Sequence, residues 1–404
     1  MINTSKKKLL IFGAGRIGRS LIARIFYDAG YEITFVDSDK RLTDLLNEKS
    51  VYRIVVKENE EQIIEVKDFS ALHISETDLI GEKMSEADLA AVAVGKRGFK
   101  KVSQQIASAL QKRFEQKPQT ALDIILAENL RDSAELMRSY LKNHLQSDFP
   151  LDNYAGLVET SIGKMVPIMT GEDLEQDPLQ IFAESYNTLI LDKNGFINSV
   201  PEIDGLAPKD NMKAWVDRKL FIHNLGHAAL AYLAHIKNPE WQYTWEALDD
   251  KEIKNAVFRA MQESAHILMH MHPGEFNQTE LTEHINDLLS RFSNRALNDT
   301  IFRVGCEIDR KLSPDDRLVP VIKYAYKNNL PCKNIMKVLI SGIYFDARDE
   351  NNQMHESDLI FSRKFNRNLS RIMTDHCKFD PETENDLIFL GMNMNERIKE
   401  NLIK

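Results

Sequence analysis

Lys219, Asn224 and His227 stand close together in Lys219-Leu-Phe-Ile-His-Asn-Leu-Gly-His227. An amine, an amide and an imidazole are the equipment needed to take a proton from an alcohol and stabilise the oxyanion left behind. The segment has helical apolar periodicity. At about 100° per residue, Asn224 lies roughly 140° and His227 roughly 80° around the axis from Lys219, so one helix face of about two turns presents all three. An amphipathic helix with ordinary polar residues at its edge gives the same pattern. What weighs between the two readings is the other end of the chain.

Residues 8–12 form a short apolar run with strand character. They lead into Gly13-Ala-Gly15-Arg-Ile-Gly18 and then a helical pattern over 19–26, closed by Gly30, with a second strand over 32–36 ending at Asp37. This is the strand, turn, helix and strand that a dinucleotide motif requires. Gly13 allows the tight turn, Gly15 lets backbone approach a pyrophosphate, and Gly18 permits close packing of helix on strand. The helix N-terminus offers free N–H groups to phosphate. Ala14, Arg16 and Ile17 belong to the same loop. Asp37, 19 residues after Gly18, is placed to accept from ribose hydroxyls and to repel a 2′-phosphate, which favours NAD over NADP. Arg16, Arg19, Lys40 and Arg41 weaken that preference unless they lie on a solvated face, where such charges usually sit.

The 404 residues suggest two domains. A 43% hydrophobic and 28% charged composition is that of a soluble globular protein. The net charge of −9 argues against a nucleic-acid or anionic-membrane partner. No apolar run approaches the ~20 residues that span a bilayer, and the basic N-terminus lacks the long apolar core of a signal peptide. Cys306, Cys332 and Cys377 are far apart and odd in number, which fits reduced thiols and a cytoplasmic location.

Beyond Asp37 a helix is expected over 42–48 and a hairpin over 52–56 and 62–66. Buried strands follow, one ending at Val94-Gly95 and one over 122–126 leading to Ala127-Glu-Asn129, with a helix over 99–114 between them. Gly95 and Asn129 both fall at strand ends, where ligands of a parallel sheet bind. Residues 156–160 and 196–200 look like the last strands. Helices are expected over 211–236, 250–270, 277–290, 295–309, 316–328, 332–344, 356–373 and 384–401. The fold class is thus an α/β, doubly wound Rossmann-type domain over residues 1–205, followed by a mainly α-helical substrate domain over 206–404.

With Phe12-Gly-Ala-Gly-Arg-Ile-Gly-Arg19, Ala93-Val-Gly95, Ala127-Glu-Asn129-Leu, Val166-Pro167, Asp210-Asn211 and above all Arg218-Lys-Leu-Phe-Ile-His-Asn-Leu-Gly-His227 in view, nearly the whole chain resembles the polyol-specific long-chain dehydrogenases and reductases. Their pattern Lys-x4-Asn-x2-His is matched in full. The resemblance implies an enzyme that binds NAD and uses no catalytic metal. Lys219 would be general base and acid, Asn129 and Asn224 would hold the reacting oxygen, and His227 would bind a neighbouring hydroxyl. Arg303-Val-Gly, Arg310-Lys311-Leu-Ser and Asp316-Arg317-Leu resemble the phosphate-substrate branch, so the expected substrate is a sugar-alcohol phosphate interconverted with a keto-sugar phosphate. Mannitol 1-phosphate and fructose 6-phosphate are the leading pair. A non-phosphorylated polyol, a hexuronate reduced at its ketone, and a protein that senses NAD without turnover are the alternatives. Monomer and small homo-oligomer both remain open.

The chain departs from the family at Gly163-Lys164, where an Asp-Arg pair is usual, with Glu159 a possible substitute. Cys306 also stands where a basic residue is expected. Arg303, Arg310, Lys311 and Arg317 are candidates for a phosphate clamp, with ion pairing to Asp309, Asp315 and Asp316 as the plainer reading. His266, His270 and His272, or His223 with His227, have zinc-like spacings but no completing carboxylate or cysteine. No metal site is expected.

Overall fold

The structure, a computed structural model, describes residues 6–58, 60–167 and 169–402. The chain divides into two compact units, one ending at Val216 and the other beginning at Asp217.

The strands of the first unit are β1 (Lys8–Phe12), β2 (Glu32–Asp37), β3 (Val51–Val56), β4 (Gln62–Lys67), β5 (Phe69–His73), β6 (Leu89–Val92), β7 (Leu122–Leu126), β8 (Ala155–Ile162), β9 (Ile181–Ala183), β10 (Leu189–Asp192) and β11 (Leu206–Lys209). Eight of them form one sheet in the order β11-β10-β8-β7-β6-β1-β2-β5, parallel except where β10 meets β8. The central strands are apolar throughout because both faces are covered. Leu9 and Ile11 of β1 pack into the core on one face, Leu10 and Phe12 into the core on the other, the period of two that a strand imposes. Strand order reverses on either side of β1, so the carboxyl ends of β1, β2, β6 and β7 surround the switch point where ligands of such sheets bind.

The anticipated hairpin is present as β3 and β4, antiparallel, but it belongs to a separate three-stranded sheet completed by β9. Strand β5, on the sheet edge, was not foreseen. Residues 196–200, expected as a strand, are not one. The buried carboxylate of Asp123 in β7 accepts from the amides of Ile197 (2.8 Å) and Asn198 (3.2 Å), so these donors go to an acid instead of a neighbouring strand. Beyond β8 the sheet is completed by β10 and β11, with β11 at the edge opposite β5.

The second unit is helical. Its centre is Leu225–Lys237, buried from Leu225 to Ala234 except at His227 and therefore apolar almost all round. It packs against Lys251–Met271, Ile301–Gly305 and Lys333–Gly342. The close approach needs small residues. A Cβ on Gly226 would stand 2.8 Å from the Met261 thioether, and one on Gly342 2.8 Å from the ring of Tyr232.

The expected helix over 295–309 is broken into Arg295–Leu297, Ile301–Gly305 and Ile308–Lys311. Asn298 and Glu307 adopt left-handed conformations (φ 47° and 65°), Thr300 caps Ile301–Gly305, and Asp358 accepts from the amides of Glu307 and Ile308. Polar capping outweighs apolar periodicity there. Likewise Asn366 and Arg367 (φ 44° and 53°) end Glu356–Phe365 inside the helix expected over 356–373. No helix of the described residues is long and apolar enough to cross a membrane.

Candidate active site

In the first unit the glycine loop leaves β1 with Gly13 at φ +103°. A Cβ there would lie 2.2 Å from the carbonyl oxygen of Ala93, and one on Gly18 would lie 2.0 Å from that of Gly13. Gly15 differs, because no heavy atom lies within 4 Å of the position its Cβ would take. Two glycines are thus required by the protein's own packing. The third leaves the loop open just before the helix that starts at Arg16 and widens into a π turn over Gly18–Ile22. An open glycine at a helix N-terminus is the cradle a pyrophosphate needs. Ala14 and Ile17 line the same turn, and Arg16 is exposed.

Asp37 closes β2 and is half-buried. Its Oδ2 accepts from the Ala14 amide at 2.7 Å and its Oδ1 from the Asp39 amide at 2.9 Å, which ties the acid to the glycine loop. Arg19 is not on a solvated face. It is 6% exposed, donates from Nε to Ala14 O (2.7 Å) and from Nη1 to Leu179 O (2.6 Å), and lies over the ring of Tyr52. Lys40 pairs with Asp44 on the surface.

At the ends of β6 and β7 stand Val94, Gly95 and Asn129. Gly95 (φ +76°) opens Gly95–Gln116 with free space where a side chain would be, and its amide donates to Glu128 Oε1 at 2.6 Å. Glu128 also accepts from the Val94 backbone. Burial pushes its carboxyl above the usual range. Glu128 is the residue that sequence reasoning passed over. Its signal was an acid beside Asn129 at the end of an apolar strand, where a buried charge needs partners. Asn129 itself is exposed.

In the second unit the segment expected as one helix comprises Met212–Arg218, a π turn over Lys219–Asn224, and Leu225–Lys237. A π turn advances by less than 100° per residue, so the arc calculated for an unbroken α-helix does not hold across it. The widened turn is braced from outside. Ser264 Oγ donates to Phe221 O at 2.5 Å, and Arg317 Nη1 donates to Asn224 O at 3.1 Å.

Lys219 is lowered to about 8, first by burial and then by the charges of Arg317 and Arg310, with Asp316 opposing. His227 lies stacked on Phe292 and edge-on to His223, with centroids 4.0 Å and 4.9 Å away. Burial and the cations Arg303, Arg317, Lys311 and Arg291 hold His227 well below its ordinary value, so the ring is neutral. Its Nε2 is buried and has no hydrogen-bond partner.

Each of the candidate phosphate residues has an internal partner. Both arms of the Arg303 guanidinium meet Asp299. Arg310 divides between Asp316 Oδ2 and Glu307 Oε2, each at 2.7 Å. Lys311 is buried, donates to Val304 O at 2.7 Å, and is lowered to about 7 by burial and Arg317. Asp309 and Asp315 are not the partners of these cations. Cys306 is half-buried, and burial pushes its thiol up.

At the family departure, a Cβ on Gly163 would meet the ring of Tyr186 at an ordinary 3.6 Å, and Lys164 Nζ donates to Tyr186 O at 2.7 Å. Glu159 accepts from the Ser133 amide at 3.4 Å, at the start of Ser133–Lys142. His266 and His270 are exposed and His272 Nε2 meets Asp217 Oδ2 at 3.0 Å. Among the described residues no group of three or more His, Cys, Asp or Glu is placed to hold a metal.

Residues 7–205 match the model of the mannitol dehydrogenase Rossmann domain, and residues 211–376 match that of the mannitol dehydrogenase C-terminal domain. The fold is similar to that of a D-sorbitol dehydrogenase in substrate-free form, with a TM-score of 0.82 and 15% identity over 98% of this chain and 94% of that one. It is similar also to Pseudomonas fluorescens mannitol 2-dehydrogenase in ternary complex with NAD and D-mannitol, with a TM-score of 0.74 and 15% identity over 99% and 93%. At that identity the structures speak to the fold, whereas the two family models together span most of the sequence. The chain belongs to the mannitol dehydrogenase family of polyol oxidoreductases.

Proposed function

We propose that this protein interconverts a sugar-alcohol phosphate and a keto-sugar phosphate, acting as a mannitol-1-phosphate 5-dehydrogenase with Lys219 as general base for oxidation. The observation that carries the reading is the pairing of a lysine lowered to about 8 with a neutral His227 whose Nε2 lacks a partner. A base near 8 is deprotonated in a useful fraction at neutral pH, as an ordinary lysine is not. Bound NAD supplies the acceptor for the hydride that leaves the carbinol carbon. The chain's own groups handle the proton and the oxygen. Lys219 Nζ takes the hydroxyl proton, Asn224 and Asn129 are the amide donors to the oxygen that bears the developing charge, and His227 Nε2 engages an adjacent hydroxyl. In reduction the same lysine, protonated, returns the proton.

The phosphate is supported by the charges named for His227, all four of which are cations. Each has an internal partner, so what supports the reading is the clustering of basic side chains around the histidine, to which an anionic group on the substrate is attracted. A specific observation favours the non-phosphorylated reading, since Arg303 already has its fork filled by Asp299. Rates of NADH formation or loss with mannitol 1-phosphate, mannitol, fructose 6-phosphate and tagaturonate separate the candidates. The phosphorylated pair should be preferred by at least tenfold in kcat/KM. Charge reversal of Arg310 should raise KM for the phosphate ester by a larger factor than KM for mannitol. An unchanged KM for both removes the clamp, and no turnover of any candidate in the wild type leaves the NAD-sensing alternative.

A further inference from the structure

A chain of ion pairs and hydrogen bonds runs through the second unit to the back of the π turn. Glu307 Oε2 meets Arg310 Nη2, Arg310 Nη1 meets Asp316 Oδ2, Asp316 Oδ1 accepts from Arg317 Nε at 2.6 Å and from its amide at 2.8 Å, and Arg317 Nη1 ends on Asn224 O at 3.1 Å. Arg317 is 6% exposed and Asp316 9%. The chain holds two guanidiniums and two carboxylates and is neutral as a whole, but Arg317 stands at its buried end, where water screens its charge poorly and where it weighs more on Lys219 than any other charge. We propose that Arg317 is a positioning residue for the reaction proposed above: anchored by Asp316, its guanidinium pins the carbonyl of Asn224 at the end of the π turn and fixes the positive field in which Lys219 works.

Geometry and electrostatics point the same way. Asn224 is the last residue of the π turn that begins with Lys219, so the hydrogen bond to its carbonyl holds the spacing of the two proposed catalytic groups. Among charges, Arg317 is the largest influence lowering Lys219, followed by Arg310, and Asp316 acts in the opposite sense. Among the described residues the titratable and charged groups around this turn include Asp217 and Arg218 just before it, His223 and His227 on its own helix, Arg303 on Ile301–Gly305, Lys311 on Ile308–Lys311, and His284 and Arg291 on the packed helix Gln278–Phe292. His223 and His227 stay neutral and His284 is lowered to about 3, so none of these imidazoles supplies charge at neutral pH. Arginine suits the task because its guanidinium keeps its charge when buried and reaches two acceptors with fixed geometry.

The test is the pH dependence of kcat/KM for polyol oxidation in wild type, Arg317→Met, Arg317→Lys and Asp316→Asn. Trinitrophenylation of Lys219, located by mass spectrometry, follows the same group without turnover. Removing the cation should move the acid limb, and the labelling curve, up by about one pH unit. Removing the anion should move both down, and Arg317→Lys should keep the limb near wild type with a lower kcat. Shifts of opposite sign are not what a merely structural disturbance gives. An unchanged limb in folded Arg317→Met, or shifts of one sign in both charge-removal variants, overturns the proposal. Should Arg317→Met fail to fold by circular dichroism, Asp316→Asn decides, and an unmoved limb there overturns it. Absence of turnover in the wild type defeats the functional reading instead, while the labelling curves still test Arg317.

Discussion

The imidazole of His227 lies nearly parallel to the ring of Phe292, with centroids 4.0 Å apart and planes inclined by 28°. Phe292 is the last residue of Gln278–Phe292 and is 3% exposed, so it acts as a flat wall that fixes the plane of the histidine. That wall explains how a neutral imidazole keeps its orientation although its Nε2 makes no hydrogen bond.

Phe292→Leu should therefore separate stability from binding. The aliphatic side chain keeps most of the buried volume, and a stability loss of about 1–2 kcal/mol is expected from the changed shape. KM for the polyol should rise several-fold while the dissociation constant of NADH stays put. Urea unfolding and fluorescence titration with NADH measure the two effects. An unchanged KM would mean that His227 does not depend on the ring.

Lys219 should impose a trade between activity and stability. Its pKa falls from 10.5 to about 8 in the folded chain. Between those values the unfolded chain holds more protons, so folded stability rises with pH there, and below about 8 the full cost of keeping an unfavourably placed ammonium is borne. Lys219→Met should abolish turnover and yet raise the melting temperature at pH 7 by about 2–4 °C. The advantage should vanish by pH 10.5. Calorimetry at the two pH values checks this, and a variant less stable at pH 7 contradicts it.

Much of this was legible in the sequence because the signals were local. The glycine spacing, the apolar runs of β1, β6 and β7, and the Lys-x4-Asn-x2-His segment each depend on neighbours in the chain. The features that were not legible depend on distant partners. The π turn at Lys219 is braced by Ser264 and Arg317, from 43 and 93 positions beyond the carbonyls they hold. Residues 196–200 have a strand's composition, but Asp123 takes two of their amides. Arg19 reads as a surface charge until Leu179 and Tyr52 arrive to enclose it. In each case a long-range polar contact overrode a correct local reading.

The three glycines of the loop should fail differently. Alanine at Gly13 or Gly18 drives a methyl into a backbone carbonyl at 2.2 or 2.0 Å, and Gly13 also has φ +103°. Both variants should lose the fold or be severely destabilised. Gly15→Ala meets no protein atom within 4 Å, so its melting temperature should match the wild type. The added methyl would nevertheless stand where the backbone must approach a pyrophosphate, and NADH should bind at least tenfold more weakly. Equal NADH affinity for Gly15→Ala and wild type would put the pyrophosphate elsewhere.

Glu128 gives the last prediction, since its carboxylate is the acceptor for the amide of Gly95 and for the Val94 backbone and is nearly enclosed. Glu128→Ala leaves partly buried amides without their acceptor at a cost of about 1 kcal/mol, and the turn at Val94 and Gly95 should lose its grip on NADH. Glu128→Gln keeps an acceptor oxygen and should bind NADH within a fewfold of wild type. The carboxyl is raised by burial, so its contribution to stability is fully present below its unfolded pKa and is lost as pH rises through the folded one. A neutral amide escapes that loss. Glu128→Gln should therefore gain most over wild type at pH 7 to 8 and lose the advantage on acidification toward about pH 4. Melting curves across that range decide it, and an advantage that grows as pH falls would show that Glu128 is held by favourable charge interactions instead of strained by burial.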